Sequence, residues 1–322
     1  MNENPARERE FSTSQAAEIL DVSTRTLYRW VENGEIQYAR TGTGRYLFPE
    51  SELKKILEER KRRGLDRIND VVVSTVRKKE VVYLRELQVS LEDLFTHEDV
   101  TDTCEMLLNS GALKTESWEG NRWYFPSTSE WTEVEGRAGE KKQLMDIYVN
   151  HPRDYTRRGV VYDDYSEMLV EDALIKTGYV VLSKNSHYFN GKEYHQEEER
   201  RPGRKRDLDY IAYLRSKDRY IGIQIKNRLE YPRMDDVHLL LDICRTLDLV
   251  PLLVTRLSHP RIYSVFSAVR GAVIQTKRYF LKPPFPRDAF EKITRELHIP
   301  LGVYQWVPEF LISDFEEVKA KL

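Results

Sequence analysis

Little in this sequence points to an oxidising or membrane setting. Its 322 residues hold only two cysteines, Cys104 and Cys244. They lie far apart and without metal-site spacing, so they argue for core packing in a reducing compartment rather than a disulfide framework. The apolar runs are all much shorter than a membrane span. The opening residues, MNENPARERE, are charged and make no signal peptide, so the expected location is cytoplasmic, with no membrane partner. Internal repeats and low-complexity tracts are missing too. So is an excess of charge: 51 Lys and Arg stand against 53 Asp and Glu, a net of −2. Any basic surface for nucleic acid must therefore be local.

What is present suffices for several cores. Hydrophobic residues make up 40% of the chain and charged residues 32%, and at this length two or three domains are expected. The N-terminal stretch FSTSQAAEILDVSTRTLYRWVENGEIQYARTGTGRYLFPESELKK carries the most specific pattern. Ser12 or Thr13 caps a helix containing Ala16, Ala17, Ile19 and Leu20. Asp21-Val22-Ser23 is a tight turn, and Ser23 or Thr24 opens a second helix that ends at Asn33-Gly34. This is helix-turn-helix spacing. Residues 36–48 then form a small hairpin with Gly42 and Gly44 at its tip and Arg40, Arg45 and Tyr46 beside them. Short hydroxyl side chains and arginines at a helix start reach base edges and phosphates, and a glycine-tipped wing approaches the backbone closely. The segment resembles winged helix-turn-helix domains of the MerR/excisionase type. The resemblance implies a duplex-DNA partner, with Thr24, Arg25, Thr26, Tyr28 and Arg29 on or near the recognition helix and Arg40, Arg45 and Tyr46 on the wing.

A second organised stretch runs from Tyr165 to Asn227. Residues 164–177 read as an amphipathic helix, closed by Gly178. Tyr179-Val180-Val181-Leu182 is a short strand, and residues 208–214 and 220–226 are two more, joined as a hairpin by Arg215-Ser216-Lys217-Asp218. Asp209 starts one strand of the hairpin, and Gln224 and Lys226 end the other, sharing a face because they differ by two. Phosphodiester cleavage needs a hard cation held by oxygen ligands. It also needs positive charge near the phosphoryl oxygens. Asp209 is the expected principal metal ligand, Gln224 a neutral carbonyl ligand, Lys226 the cation at the water or phosphate, and Glu167 the group that completes the shell directly or through water. Glu171, one turn from Glu167, and Asp207, on the same strand face as Asp209, remain as substitutes.

The order Glu, Asp, Gln-x-Lys on a helix, a "GYVVL" strand and the strands "DYIA" and "IQIK" resembles the PD-(D/E)xK nuclease superfamily over roughly residues 160–257. The Gln-x-Lys form is similar to its Mrr-like branch, and the element order to archaeal Holliday-junction resolvases. The resemblance implies a metal-dependent DNA endonuclease with Mg²⁺ or Mn²⁺ as cofactor. Duplex or branched DNA would be its substrate, and a homodimer its form. A DNA-binding regulator with a non-cutting nuclease-like domain is the alternative, kept open by Gln224 where an acid is commoner.

The expected fold class is α+β in several domains. Residues 1–64 form the helix-turn-helix domain, 65–126 a second winged-helix unit, 127–158 a linker with a short helix from Glu140 to Val149, and 159–322 a restriction-endonuclease-like mixed sheet flanked by helices. Near the C-terminal end, ITRELHIPLGVYQW reads as an apolar strand.

Overall fold

Ser12 fills the N-cap of the first helix. Its hydroxyl lies 3.5 Å from the Gln15 amide nitrogen, while the Gln15 side-chain oxygen accepts from Ser12 N–H at 3.0 Å, the reciprocal pairing of a capping box. In the computed structural model, which describes residues 9–20, 24–32, 34, 36–40, 46–151, 155–157, 160–162, 164–195, 197–198 and 201–322, the chain divides into two units, Met1–Ser74 and Thr75–Leu322. The first contains β1 (Glu10–Ser12), α1 (Thr13–Ile19), α2 (Thr24–Glu32), β2 (Ala39–Arg40), β3 (Tyr46–Pro49) and most of α3 (Glu50–Lys79). The three strands pair in the order β1-β3-β2. Ala16, Ala17, Leu20, Leu27, Val31, Ile36, Phe48 and Leu53 make its core.

The expected boundary at 64/65 falls inside α3, because the residues around Gly64 are mostly good helix formers and one glycine costs only about 1 kcal/mol. The division lies instead between Ser74 and Thr75.

The second unit begins with β4 (Val82–Tyr83), α4 (Leu84–Leu91), α5 (His97–Asn109), β5 (Leu113–Trp118) and β6 (Asn121–Pro126), with strand order β4-β6-β5. A Thr96/Asp99 capping box starts α5. The stretch expected as a linker is instead a 19-residue helix, α6 (Trp131–Val149), built into a core. Val134, Ala138, Lys141, Met145 and Tyr148 form its buried stripe. The spacing is regular, but a lysine occupies the middle position, so the apolar signal is interrupted there.

That lysine is held by Glu86. Lys141 Nζ donates to Glu86 Oε1 at 2.9 Å and to Val81 O at 2.6 Å, and Lys79 Nζ reaches Glu86 Oε1 at 2.7 Å. Around this pair, Trp123 and Phe125 of β6 and the α6 stripe join one core with Tyr279, Leu281, Ile293, Leu297, Ile299 and Leu301.

The rest of the unit carries β7 (Tyr155–Arg157) with β8 (Val160–Tyr162), α7 (Tyr165–Lys176), β9 (Tyr179–Ser186), the short hairpins β10 (Tyr188–Phe189) with β11 (Lys192–Glu193) and β12 (Glu197–Glu198) with β13 (Arg201–Lys205), then β14 (Leu208–Leu214), β15 (Arg219–Lys226), α8 (Met234–Leu247), β16 (Val250–Thr255), α9 (Pro260–Ala268), β17 (Ala272–Gln275), β18 (Tyr279–Leu281), α10 (Arg287–Lys292), β19 (Leu301–Val303) and α11 (Glu309–Lys321). The segment expected as an apolar strand near the end opens instead with a helical turn. Ile293 and Leu297 lie four apart on one buried face of a π turn, and only Leu301–Val303 is strand.

The central sheet has five strands in the order β17-β16-β15-β14-β9, antiparallel from β9 to β15 and parallel from β15 to β17. The strand period of two sorts its residues. Tyr210, Ala212, Ile221, Ile223, Leu252 and Val254 pack with α7 and α11, whereas Ile211 and Leu253 pack with α8 and α9. Gly222 allows α8 its approach: a Cβ there would lie 2.6 Å from Cys244 Sγ.

Removing one partner of a buried ion pair leaves an uncompensated charge. Glu86→Gln should therefore cost roughly 3–5 kcal/mol of stability in urea unfolding of the full chain. A Glu86→Leu/Lys141→Met pair should cost clearly less. An unchanged midpoint for Glu86→Gln would show that these charges do not hold the α6 core.

Candidate functional site

Asp209, Gln224 and Lys226 meet because of hairpin register. Tyr210 pairs with Ile223, so Asp209 lies just beyond that pair, beside Gln224. The Asp209 carboxylate accepts two hydrogen bonds on Oδ2, from Gln224 Nε2 at 2.6 Å and from the Ile225 N–H at 2.5 Å. Together with Glu167, Asp164, Ser166, Ile225, Asn227 and Arg228, these residues line a cavity of about 190 Å³. Of the alternatives weighed from sequence, Glu167 and Asp209 line it. Glu171 instead accepts from the Tyr210 hydroxyl at 3.3 Å, and Asp207 is not among the lining residues.

Glu167 sits in the first turn of α7, where the helix dipole favours a carboxylate. Asp164 caps that helix, accepting from Ser166 N–H at 2.8 Å. Two residues that sequence reasoning passed over fix the geometry. Asn227 donates to Phe280 O at 2.8 Å and accepts from Phe280 N–H at 2.9 Å, while its amide also reaches Asp164 Oδ1 at 3.1 Å. The end of β15 is thereby tied to the start of α7. Lys184, on β9, lies 3.2 Å from Glu167 Oε2. Asn227 follows the Gln-x-Lys run directly, which is the only local signal it offers. Lys184 has none, because its partner is set by strand pairing.

Burial pushes the Asp209 carboxyl up to about 6. Lys226, the Ile225 N–H and the Gln224 amide pull the other way, and Asp207 adds to the rise. The site thus keeps a carboxylate where desolvation disfavours its charge, a condition enriched at functional sites. A larger cavity of about 650 Å³ opens beside β4, β6 and α6. Two of its arginines already have carboxylate partners, Arg85 with Glu230 at 2.8 Å and Arg122 with Glu105 at 2.5 Å. It lacks the converging acid, amide and lysine of the smaller one.

The helix-turn-helix residues divide by exposure. Thr24, Tyr28, Arg29 and Arg40 are exposed, and Leu27 and Val31 are buried. Tyr46 is half-buried and packs edge-on against Tyr38 and Tyr28. Its hydroxyl accepts from Arg40 Nη2 at 3.0 Å. Arg45 and the turn at 21–23 lie outside the described residues, as do the side chains of Arg25 and Thr26.

Residues 10–61 match the family described as helix-turn-helix domain. This stretch is the chain's DNA-binding module, and DNA is the partner it implies. No curated protein matches the chain. No helix among the described residues is long and apolar enough to cross a membrane.

The raised Asp209 carboxyl sets a pH dependence. The folded state holds this proton up to about pH 6, whereas an unfolded Asp releases it near pH 4. Stability from this group is therefore highest at low pH and is lost as pH rises from about 4 to about 6. Asp209→Asn removes the charge and should stabilise the chain at pH 7.5 by on the order of 2–3 kcal/mol. The gain should vanish below about pH 4, as read from urea midpoints across pH. A loss of stability at pH 7.5 would contradict it.

Proposed function

We propose that the chain is a metal-dependent DNA endonuclease whose helix-turn-helix module brings the Asp209 cavity to duplex or branched DNA. The observation that carries this reading is the convergence of Asp209, Gln224 and Lys226 from one hairpin with Glu167 from the facing helix, in one cavity. The order of elements supports it. A helix bearing Glu167 precedes an antiparallel trio, and a helix-strand return then extends the sheet in parallel, as in the PD-(D/E)xK superfamily that the sequence resembles. The order β4, α4, α5, β5, β6 with a β4-β6-β5 sheet supports a second winged-helix unit in the middle. The MerR/excisionase type is the reading of the first module, and a homodimer, able to cut both strands of a duplex, belongs to the same proposal.

The donor set fits a hard divalent cation such as Mg²⁺ or Mn²⁺, though sparingly. Among the described residues there is no cluster of three or more His, Cys, Asp or Glu side chains, so Asp209 must be helped by the Gln224 amide oxygen. Its nitrogen faces Asp209, and a half-turn of the amide exchanges the two atoms. A bound cation would polarise the phosphate and acidify a water. The protein's own groups do the rest. Asp209, held by the Ile225 N–H, keeps its carboxylate directed along the strand end. Lys226 opposes charge growing on the phosphoryl oxygens, and Asn227 keeps both walls of the cavity in register.

A second reading has its own observation. Gln224 already satisfies Asp209 as a neutral donor, which suits a DNA-binding regulator that does not cut. Incubation of the full chain with supercoiled, linear and branched DNA, with and without Mg²⁺ or Mn²⁺, tests the two. Under the endonuclease reading, Asp209→Ala and Lys226→Ala abolish cleavage and leave duplex binding within about twofold, since the DNA-binding module is separate from the cavity. Gln224→Glu keeps cleavage and shifts its half-maximal Mg²⁺ concentration downward. A wild type inert under both metals, beside a cutting Gln224→Glu, would establish the regulator instead.

Binding has a separate check. Arg29→Ala and Arg40→Ala should each weaken duplex binding in fluorescence anisotropy and reduce the slope of log affinity against log salt by about one, the mark of a lost phosphate contact.

A further inference from the structure

Glu167, in the lining of the cavity, already has a cation beside it. The Lys184 ammonium lies 3.2 Å from Glu167 Oε2 and 3.6 Å from the centroid of the Tyr162 ring, with the Tyr210 ring at 5.7 Å. Tyr162 and Tyr210 are both buried, so the ammonium is seated between a carboxylate and an aromatic face, two surfaces that each attract positive charge. Strand pairing puts it there: Lys184 is the β9 partner of Tyr210 on β14, and the Tyr210 hydroxyl donates to the Glu167 backbone carbonyl at 3.2 Å. The lysine, the tyrosine and the glutamate therefore move as one block. Asp209 is different. Its contacts are two neutral N–H donors, and the charge of Lys226 acts on it without a hydrogen bond.

We propose that Lys184 permanently occupies the position where Glu167 would otherwise take a share of a divalent cation. The site then accepts one such ion, on Asp209 and Gln224, and Glu167 acts as the positioning residue for Lys184. The inference rests on the metal-centre reading above and narrows it. An ammonium in direct contact neutralises Glu167 and repels a dication approaching that wall, whereas Lys226, which acts on Asp209 by its charge, makes no direct ion pair with it. Of the three carboxylates in the lining, Asp164 is engaged by the Ser166 N–H and the Asn227 amide and Glu167 by Lys184, which leaves Asp209 for a cation.

Calorimetric titration of the full chain with Mn²⁺ alone, without DNA, decides it. Wild type should take up one ion, and Asp209→Ala should lose it. Lys184→Met keeps an apolar stem over Tyr162 while removing the charge, and should either add a second ion or tighten the first by about tenfold, the scale on which neighbours of metal ligands act. That gain should disappear in Lys184→Met/Glu167→Gln, and Lys184→Arg should titrate as wild type. Two ions in wild type, one of them lost in Glu167→Gln, would overturn the proposal, and so would a Lys184→Met that titrates as wild type does. Should Lys184→Met fail to fold, Lys184→Gln takes its place: a second ion or a tightened first upholds the proposal, and an isotherm like that of wild type overturns it. Failure of the broader reading looks different, because Mn²⁺ uptake would then be the same in wild type and Asp209→Ala.

Discussion

A charge taken out of water has to be met by another charge, and the second unit is arranged around three places where this happens. Lys141 and Glu86, both almost fully buried, fasten α6 to the start of α4. Arg256, also buried, makes a bidentate pair with Glu92, 2.8 Å at each nitrogen, and donates to Leu229 O. Lys184 meets Glu167, which lines the cavity. Such pairs are not a large source of net stability against an apolar alternative. They do penalise any misplacement of the elements that carry them, and so they fix which helix faces which strand.

The Arg256 clamp also bears on the middle of the chain. Beside it, His97 at the start of α5 stacks on Tyr231 at 4.1 Å between ring centres, with the rings nearly parallel. His97, the first residue of α5, is thus turned to protein, while Glu98 and Asp99 are exposed. Glu98, Asp99, Asp102 and Glu105 make this helix acidic. This part of the chain packs on residues 279–301, and the helix-turn-helix match lies at residues 10–61.

What could be read from the sequence was whatever two or three neighbouring residues determine together. The parity of Gln224 and Lys226, the start of the Asp209 strand, the Ser12 cap and the helix carrying Glu167 all follow from local spacing. The five-stranded mixed sheet was expected in kind though not in order. Lys184, Asn227 and Lys141 were not legible, because each has its meaning through partners 17 to 60 residues or more away. Lys141 also hid the buried face of its helix, which was expected only over Glu140–Val149, since a charge at a buried position looks like an exposed face until Glu86 is known to be opposite. The length of α3 was missed for a simpler reason: the helix runs on past the expected domain end, through a glycine that local rules treat as punctuation.

The core that joins β6 and α6 to residues 279–301 has a consequence for how the protein is made. Its buried charges connect across 217 residues, where Lys79 Nζ donates to Glu296 O. On a ribosome, residues 10–61 leave the exit tunnel as a self-contained set of local contacts and can fold at once. The middle of the chain cannot. Trp123, Phe125 and the α6 stripe must wait, uncovered, until the strand at Leu301 has been synthesised, which at typical rates of about 5–20 residues per second is roughly ten to thirty seconds later. During that interval Glu86 and Lys141 stay hydrated, and their preference for water keeps the unfinished surface from collapsing onto something else. The same pair that later registers α6 would, in the nascent chain, act as a delay.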